Sequence, residues 1–261
     1  MDIAVLTIFP SMFDPLLTHG MIKRAMDKRK LSVSLVNIRD FASGKHRVTD
    51  DRPYGGGCGM VMKPEPLAGA IRAAKKKLPN AATILLTPQG RLLNQPLAVQ
   101  LASIEEMILV CGRYEGLDER IVSGFIDDEI SIGDYILTGG EVAAMVIIDA
   151  VARLIPGVLG GSTSAAKESF NNNLLEHGHY TRPAEFEGEV VPDVLQSGNH
   201  KAIDRWRREE SLMRTFLKRK DLLENRFLEK EEMDIFKKWA LDIEKFIHGQ
   251  SLRGVDTLSG G

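Results

Sequence analysis

Two cysteines in 261 residues, Cys58 and Cys111, are too few and too far apart to frame a disulfide scaffold or a zinc cluster. No apolar run is long enough to cross a bilayer. Residues 1–6 (MDIAVL) carry neither the basic flank nor the cleavage site of a secretory leader, so the expected location is cytoplasmic. Neither sign of charge prevails: 34 Lys and Arg face 36 Asp and Glu, a net of −2, so contact with a polyanion needs a local cluster. The phosphate-binding pattern GxxxxGK[ST] is missing, and so is the GxSxG elbow of serine hydrolases. Residues 55–59 (GGGCG) are glycine-rich but lack the spacing and the preceding buried strand of a dinucleotide fingerprint. No internal repeat is visible. What remains is a chain with 43% hydrophobic and 27% charged residues, the balance of a soluble globular protein of one large or two smaller domains.

Three glycine-bearing turns then stand out, each closing an apolar strand-like run: residues 85–90 (LLTPQG), 111–116 (CGRYEG) and 131–140 (SIGDYILTGG). Glycine admits positive φ and close approach of another backbone or a ligand. In an open parallel sheet, ligands lie beyond the carboxyl ends of the strands. Three such turns suggest one pocket built from main chain; singly, each also reads as an ordinary strand-to-helix turn. Residues 3–8, 31–38, 83–87, 107–111 and 129–132 are short and rich in Ile, Val and Leu, as strands buried on both faces are. Between them, 65–78, 95–103 and 141–154 read as helices, with Asn94 as an N-cap. The last is apolar on several faces, so it is buried or lies at a subunit interface. The alternation of strand and helix predicts an α/β domain with a parallel sheet.

The middle of the chain changes character. Residues 160–173 (GGSTSAAKESFNNN) are small and polar and read as a linker. From 200 to about 247 the pattern is helical, with Ile203, Trp206, Leu212, Phe216 and Leu217 at apolar positions. Eight cations, Lys201, Arg205, Arg207, Arg208, Arg214, Lys218, Arg219 and Lys220, fall in one stretch of that pattern. A basic helix face suits phosphate contacts, although taken alone a charge run is more often a solvated face. His177 and His179 have no partner cluster in the sequence, so no metal site is expected. The tail 249–261 reads as frayed.

Residues 51–60 (DRPYGGGCGM), 111–116, 131–135, 152–159 (ARLIPGVL), 179–183 (HYTRP) and 202–207 (AIDRWR) together resemble the bacterial tRNA (guanine-N1)-methyltransferases of the SPOUT superfamily. The motifs run in the family's order over nearly the whole chain. The resemblance implies an α/β fold with a deep trefoil knot and a small C-terminal helical domain. It divides the chain into a SPOUT domain at 1–160, a linker at 161–178, a tRNA-binding helical domain at 179–248 and a tail. It implies a homodimer whose active sites draw on both subunits. It also implies S-adenosyl-L-methionine as methyl donor and N1-methylation of the tRNA guanosine just 3′ of the anticodon, position 37, which guards the reading frame.

On the same resemblance, main-chain groups of Leu86, Gly112, Ile132, Tyr135 and Leu137 hold the adenine and ribose, while Pro88, Gly133, Gly139 and Gly140 shape the turns. Glu115 accepts from ribose hydroxyls or faces the sulfonium, and Tyr114, Gly116 and Ser131 complete the pocket. Tyr114 and Tyr135 also read as packing aromatics. Guanine N1 carries a proton that a carboxylate must accept, and negative charge then grows on O6, where a guanidinium stabilises it. The resemblance gives these roles to Glu168 and Arg153. Glu168 and Glu176 stand where Asp is usual, lengthening the arm by about 1.5 Å. Read without the resemblance, Glu168 is an exposed linker acid and Arg153 a cation completing a helix dipole. A Mg²⁺ requirement is carried over without any ligand cluster to hold the ion. Methylation of another RNA position by the same fold, or RNA binding without catalysis, are the competing readings.

Overall fold

A computed structural model describes residues 1–159, 169–224 and 226–256, with only the backbone described at 171 and 249–256. The chain falls into two compact units, Met1–Ala165 and Ala166–Gly261.

The first unit is an α/β layer structure. Its strands β1 (Asp2–Thr7), β2 (Ser32–Asn37), β5 (Ala82–Leu92), β6 (Glu106–Cys111) and β7 (Asp128–Ser131) form one sheet in the order β2-β1-β6-β5-β7, every pair parallel. A two-residue ladder, β3 (Asp50–Asp51) with β4 (Val61–Met62), lies outside it. Side chains alternate between faces along a strand, and here both faces are covered. Ile3, Val5, Met107 and Leu109 join one core cluster, while Ala4, Leu6, Ile108 and Val110 join the other. Helices α2 (Gly20–Asp27), α4 (Gln95–Ala102) and α6 (Glu141–Ala152) contribute Ile22, Leu97, Leu101, Ile147 and Ile148 to the first cluster. Helices α3 (Pro64–Lys77) and α5 (Glu119–Phe125) contribute Leu67, Ile71 and Ile121 to the second. The short α1 (Asp14–Thr18) precedes α2. Double burial explains why the central strands are unbroken apolar runs.

Local signals explain the ends. The Asn94 side chain accepts from the Leu97 amide at 2.9 Å, capping α4 as its position predicts. One expectation is corrected. Residues 85–90 do not end a strand: β5 continues to Leu92, and its pairing with β7 shifts between Leu86 and Arg91. A Cβ on Gly90 would sit 2.4 Å from the Glu129 carbonyl carbon, so this glycine serves backbone contact within the sheet. Helices α2 and α5 were not foreseen; each is short and offers only one or two buried side chains.

The second unit contains a hairpin of β8 (Glu185–Phe186) and β9 (Glu189–Val190) and helices α7 (Asp193–Gln196), α8 (His200–Lys218), α9 (Lys220–Glu224) and α10 (Lys230–Asp256). The single helical stretch expected from 200 is thus divided after Lys218 and again before Lys230, and α10 runs into the stretch expected to be a frayed tail. The second break is held by Glu232, whose side chain is 1% exposed. It accepts from the Glu229 amide at 2.9 Å, as in a capping box, and from Arg226 and Arg208. Burial pushes the Glu232 carboxyl up, but the Arg226 and backbone hydrogen bonds and the two guanidinium charges outweigh it, so the pKa lies below the ordinary value. A depressed folded-state pKa gives stability that is present above the unfolded value, about 4.3, and is lost as pH falls. Glu232→Gln should therefore both destabilise this unit at neutral pH and flatten its stability between about pH 5 and 3, read by urea titration at each pH.

Candidate active site at the strand ends

The strands β6, β5 and β7 are neighbours and parallel, so their carboxyl ends lie on one edge of the sheet, with Leu86 paired to both Cys111 and Ile130. The second and third turns start at this edge. They are joined directly: the Gly140 amide donates to the Gly112 carbonyl at 2.8 Å, and Arg113 bridges to Gly139. A Cβ on Gly140 would meet the Cys111 Cα at 2.8 Å and the Gly112 nitrogen at 3.0 Å. The glycines expected to shape a ligand pocket are thus first needed for one turn to lie on the other.

An ion pair between a part-buried guanidinium and a buried carboxylate fastens this junction. Arg113 Nε donates to Glu141 Oε2 at 2.9 Å, and the Thr7 hydroxyl donates to Oε1 at 2.8 Å. The Glu141 side chain is 1% exposed. The same guanidinium donates to the Thr138 carbonyl at 3.2 Å and lies 4.6 Å from the centroid of the Phe9 ring. One carboxylate at the start of α6 therefore ties together β1, the second turn and the third. Sequence reasoning missed both residues. An acid opening a helix reads as a dipole partner; its burial becomes visible only once Arg113 is seen beside it. Glu141→Gln is expected to cost about 1.5–3 kcal/mol, because the charge-assisted hydrogen bonds from Arg113 and the buried Thr7 lose their ionised acceptor. Thermal unfolding would measure it, and the double change Arg113→Met with Glu141→Leu should recover much of the loss. Cys111 lies beneath this pair. Burial, then the Glu141 charge, pushes its thiol well above the usual value despite Arg113, so it stays protonated and acts as packing.

The other expected pocket residues fall as follows. Tyr114 holds φ at 59°, rare for an aromatic residue, and is exposed, as are Tyr135 and Leu137. The Tyr135 hydroxyl donates to the Ile132 carbonyl at 3.0 Å, folding the ring over its own turn against Gly133. Ser131 and Gly133 hydrogen-bond each other at 3.1 and 3.2 Å. The main-chain groups of Ile136 and Leu137 have no hydrogen bond among the described residues. Pro88 is exposed in the bulge of β5. Gly116 accepts from the Met62 amide at 2.9 Å, which ties β4 to the second turn. The Glu115 carboxylate lies against Gly59, so close that a Cβ there would stand 2.3 Å from Oε1. Arg153 is half-buried at the C-terminal cap of α6. Glu168 lies outside the described residues.

In the second unit the loop after Leu175 brings Glu176 to the two histidines that lacked a partner in sequence. The ligand atoms of Glu176, His177 and His179 lie within 4.8 Å of one another, and His179 Nε2 is 3.1 Å from Glu176. The basic stretch is far less free than its composition suggests. Arg205 pairs with Glu209, Arg207 with Asp204, Arg208 with Glu229 and Glu232, Arg214 with Glu210, Arg219 with Asp221 and Lys220 with Glu224. Lys201 and Lys218 are left without a partner among the described residues.

Comparison with known proteins addresses the chain as a whole. The model of the family described as tRNA (Guanine-1)-methyltransferase TrmD matches residues 1–225. A protein of Desulfatibacillum aliphaticivorans described as tRNA (guanine-N(1)-)-methyltransferase is 54% identical over 259 residues, covering 99% of each chain. Proteins of the same description from Geotalea uraniireducens and Carboxydothermus hydrogenoformans are 58% and 56% identical, over 85% and 89% of this chain and 90% and 91% of their own. With glycine turns joined at one sheet edge and this similarity extending from end to end, the chain belongs to the tRNA (guanine-1)-methyltransferase family.

Proposed function

We propose that the protein transfers a methyl group from S-adenosyl-L-methionine to N1 of the tRNA guanosine immediately 3′ of the anticodon, acting as a cytoplasmic homodimer. The observation that carries the reading is the junction of the second and third glycine turns at the ends of adjacent strands, clamped by Arg113 and Glu141. Free main-chain groups at Ile136 and Leu137 stand on that junction, and their chemistry fits the ring nitrogens and hydroxyls of an adenosine. Leu86, Gly112, Ile132 and Tyr135 add further backbone groups from the neighbouring turns. Pro88, Gly116, Ser131, Gly133, Gly139 and Gly140 keep the turns in shape, and Tyr114 and Glu115 border them. In this reading the turns are the loops of a SPOUT trefoil knot, and the second unit is the tRNA-binding domain.

The bound donor supplies an electrophilic methyl on a sulfonium. The protein's part is to make guanine N1 nucleophilic. Glu168 takes the N1 proton, and Arg153 donates hydrogen bonds to O6, where charge accumulates as that proton leaves. Val142 and Val146 are 46% and 40% exposed on the mostly buried α6 and supply apolar surface for a second copy. Mg²⁺ would ride on RNA or on the donor's carboxylate. The test is methyl transfer to tRNA transcripts carrying guanosine or adenosine just 3′ of the anticodon, with the product nucleoside identified by mass spectrometry. N1-methylguanosine from the first transcript alone is expected; a methylated nucleoside elsewhere would overturn the assignment.

A further inference from the structure

Within the second unit an open pocket of about 680 Å³ is bounded by the 177–184 loop, the 191–196 segment and the start of α8. That volume falls in the range of small-ligand sites, roughly 300–1,000 Å³. Val191, Leu195 and Ile203 make its apolar floor. Its walls are rings. Tyr180 and His177 each stand 6.2 Å from Trp206, at 59° and 57°, and His177 stands 4.8 Å from His179 at 56°. These tilted contacts brace the rings without any two stacking flat, so ring faces stay open to a planar guest.

The charge around the pocket is one-sided. Arg182 and Arg207 line it, and among the described residues no Asp or Glu does, although acids outnumber bases in the chain. Two carboxylates adjoining lining residues are engaged: Glu176 with His179 at 3.1 Å, and Asp204 with Arg207 at 3.5 Å. Arg182 is exposed and has no hydrogen-bond or ion-pair partner among the described residues. His177 Nδ1 lies 3.0 Å from the Gly178 carbonyl, which can only accept. The neutral ring is therefore protonated at Nδ1, and Nε2 is an acceptor. Ring faces, an acceptor nitrogen and an unpaired guanidinium over an apolar floor match an unstacked base with its phosphate.

We propose that this pocket holds one unpaired nucleotide of the RNA substrate, distinct from the guanosine that is methylated. The base lies against Tyr180, and the phosphate pairs with Arg182. The inference rests on the tRNA reading above. A free mononucleotide would offer the same chemistry, so the experiment separates the two.

Full-length Tyr180→Ala, Tyr180→Phe and Arg182→Ala would be assayed for KM and kcat toward tRNA, for methyl-donor affinity and for tRNA binding by fluorescence anisotropy. Losing one stacked base or its phosphate contact should raise KM for tRNA roughly tenfold in both alanine variants. The loss should fall on KM and spare the affinity for the methyl donor. Tyr180→Phe keeps the ring and should restore most of the affinity. Arg182 has no partner to lose among the described residues, so Arg182→Ala remains decisive even if Tyr180→Ala misfolds. Wild-type KM and wild-type tRNA binding in Arg182→Ala would overturn the proposal, as would binding of guanosine or cytidine monophosphate as tight as that of tRNA. If the wild-type protein forms no methylguanosine, the tRNA reading fails on its own, and anisotropy with single-stranded RNA still decides the pocket.

Discussion

Gly140→Val should abolish methyl-donor binding, while Gly112→Ala should leave the fold intact and weaken binding only in part. The contrast comes from what each added carbon meets. At position 140 a Cβ falls 2.8 Å from the Cys111 Cα and 3.0 Å from the Gly112 nitrogen, both backbone, so the second turn must move bodily. The 2.8 Å hydrogen bond from Gly140 to Gly112 goes with it. At position 112 the nearest atom is Leu117 Cδ1 at 3.0 Å, the end of a flexible side chain, with the next at 3.8 Å. Displacing a positioned group by about 1 Å is enough for an effect on the order of a hundredfold. Calorimetry with S-adenosylmethionine, beside thermal unfolding of each variant, distinguishes loss of the site from loss of the fold. Wild-type affinity in a folded Gly140→Val would remove this junction from the donor pocket.

The parallel sheet was legible because its inner strands β1 and β6 are buried on both faces and therefore have no alternation to misread. The cap at Asn94 was legible for an equally local reason. What escaped were features that exist only between distant segments. Residues 85–90 have the composition of a turn, yet β7 pairs across the interruption and makes them a bulge within one strand. Arg113 and Glu141 are 28 residues apart, and nothing in either neighbourhood announces that the acid will be buried. The basic stretch of α8 was legible as composition but not as pairing. At i+3 and i+4 spacing most of its cations find an acid on the same helix or in the segment after it, and Arg208 is committed to the buried Glu232. Arg182, a single residue outside that stretch, is freer than most of the cluster. Composition reports how many charges a segment has; pairing decides which of them a polyanion can reach.

Glu168→Gln is expected to lower single-turnover methyl transfer by roughly 10²–10⁴-fold, the usual contribution of a general base, while leaving donor affinity unchanged. Glutamine keeps the volume and the hydrogen-bonding oxygen but cannot take the N1 proton. The rising limb of the pH–rate profile should vanish along with the rate, since that limb reports ionisation of the base. Loss of rate with the limb retained would move the proton to another group. Glu168→Asp asks a second question of the same position, because aspartate is the residue the resemblance leads one to expect. If the chain around Glu168 has adjusted to the longer arm, shortening it by about 1.5 Å withdraws the carboxylate and slows transfer. If the surrounding chain is slack, it takes up the difference and the two acids react alike. The charge is the same in both proteins, so a difference between them measures placement, whereas the difference between glutamate and glutamine measures proton acceptance.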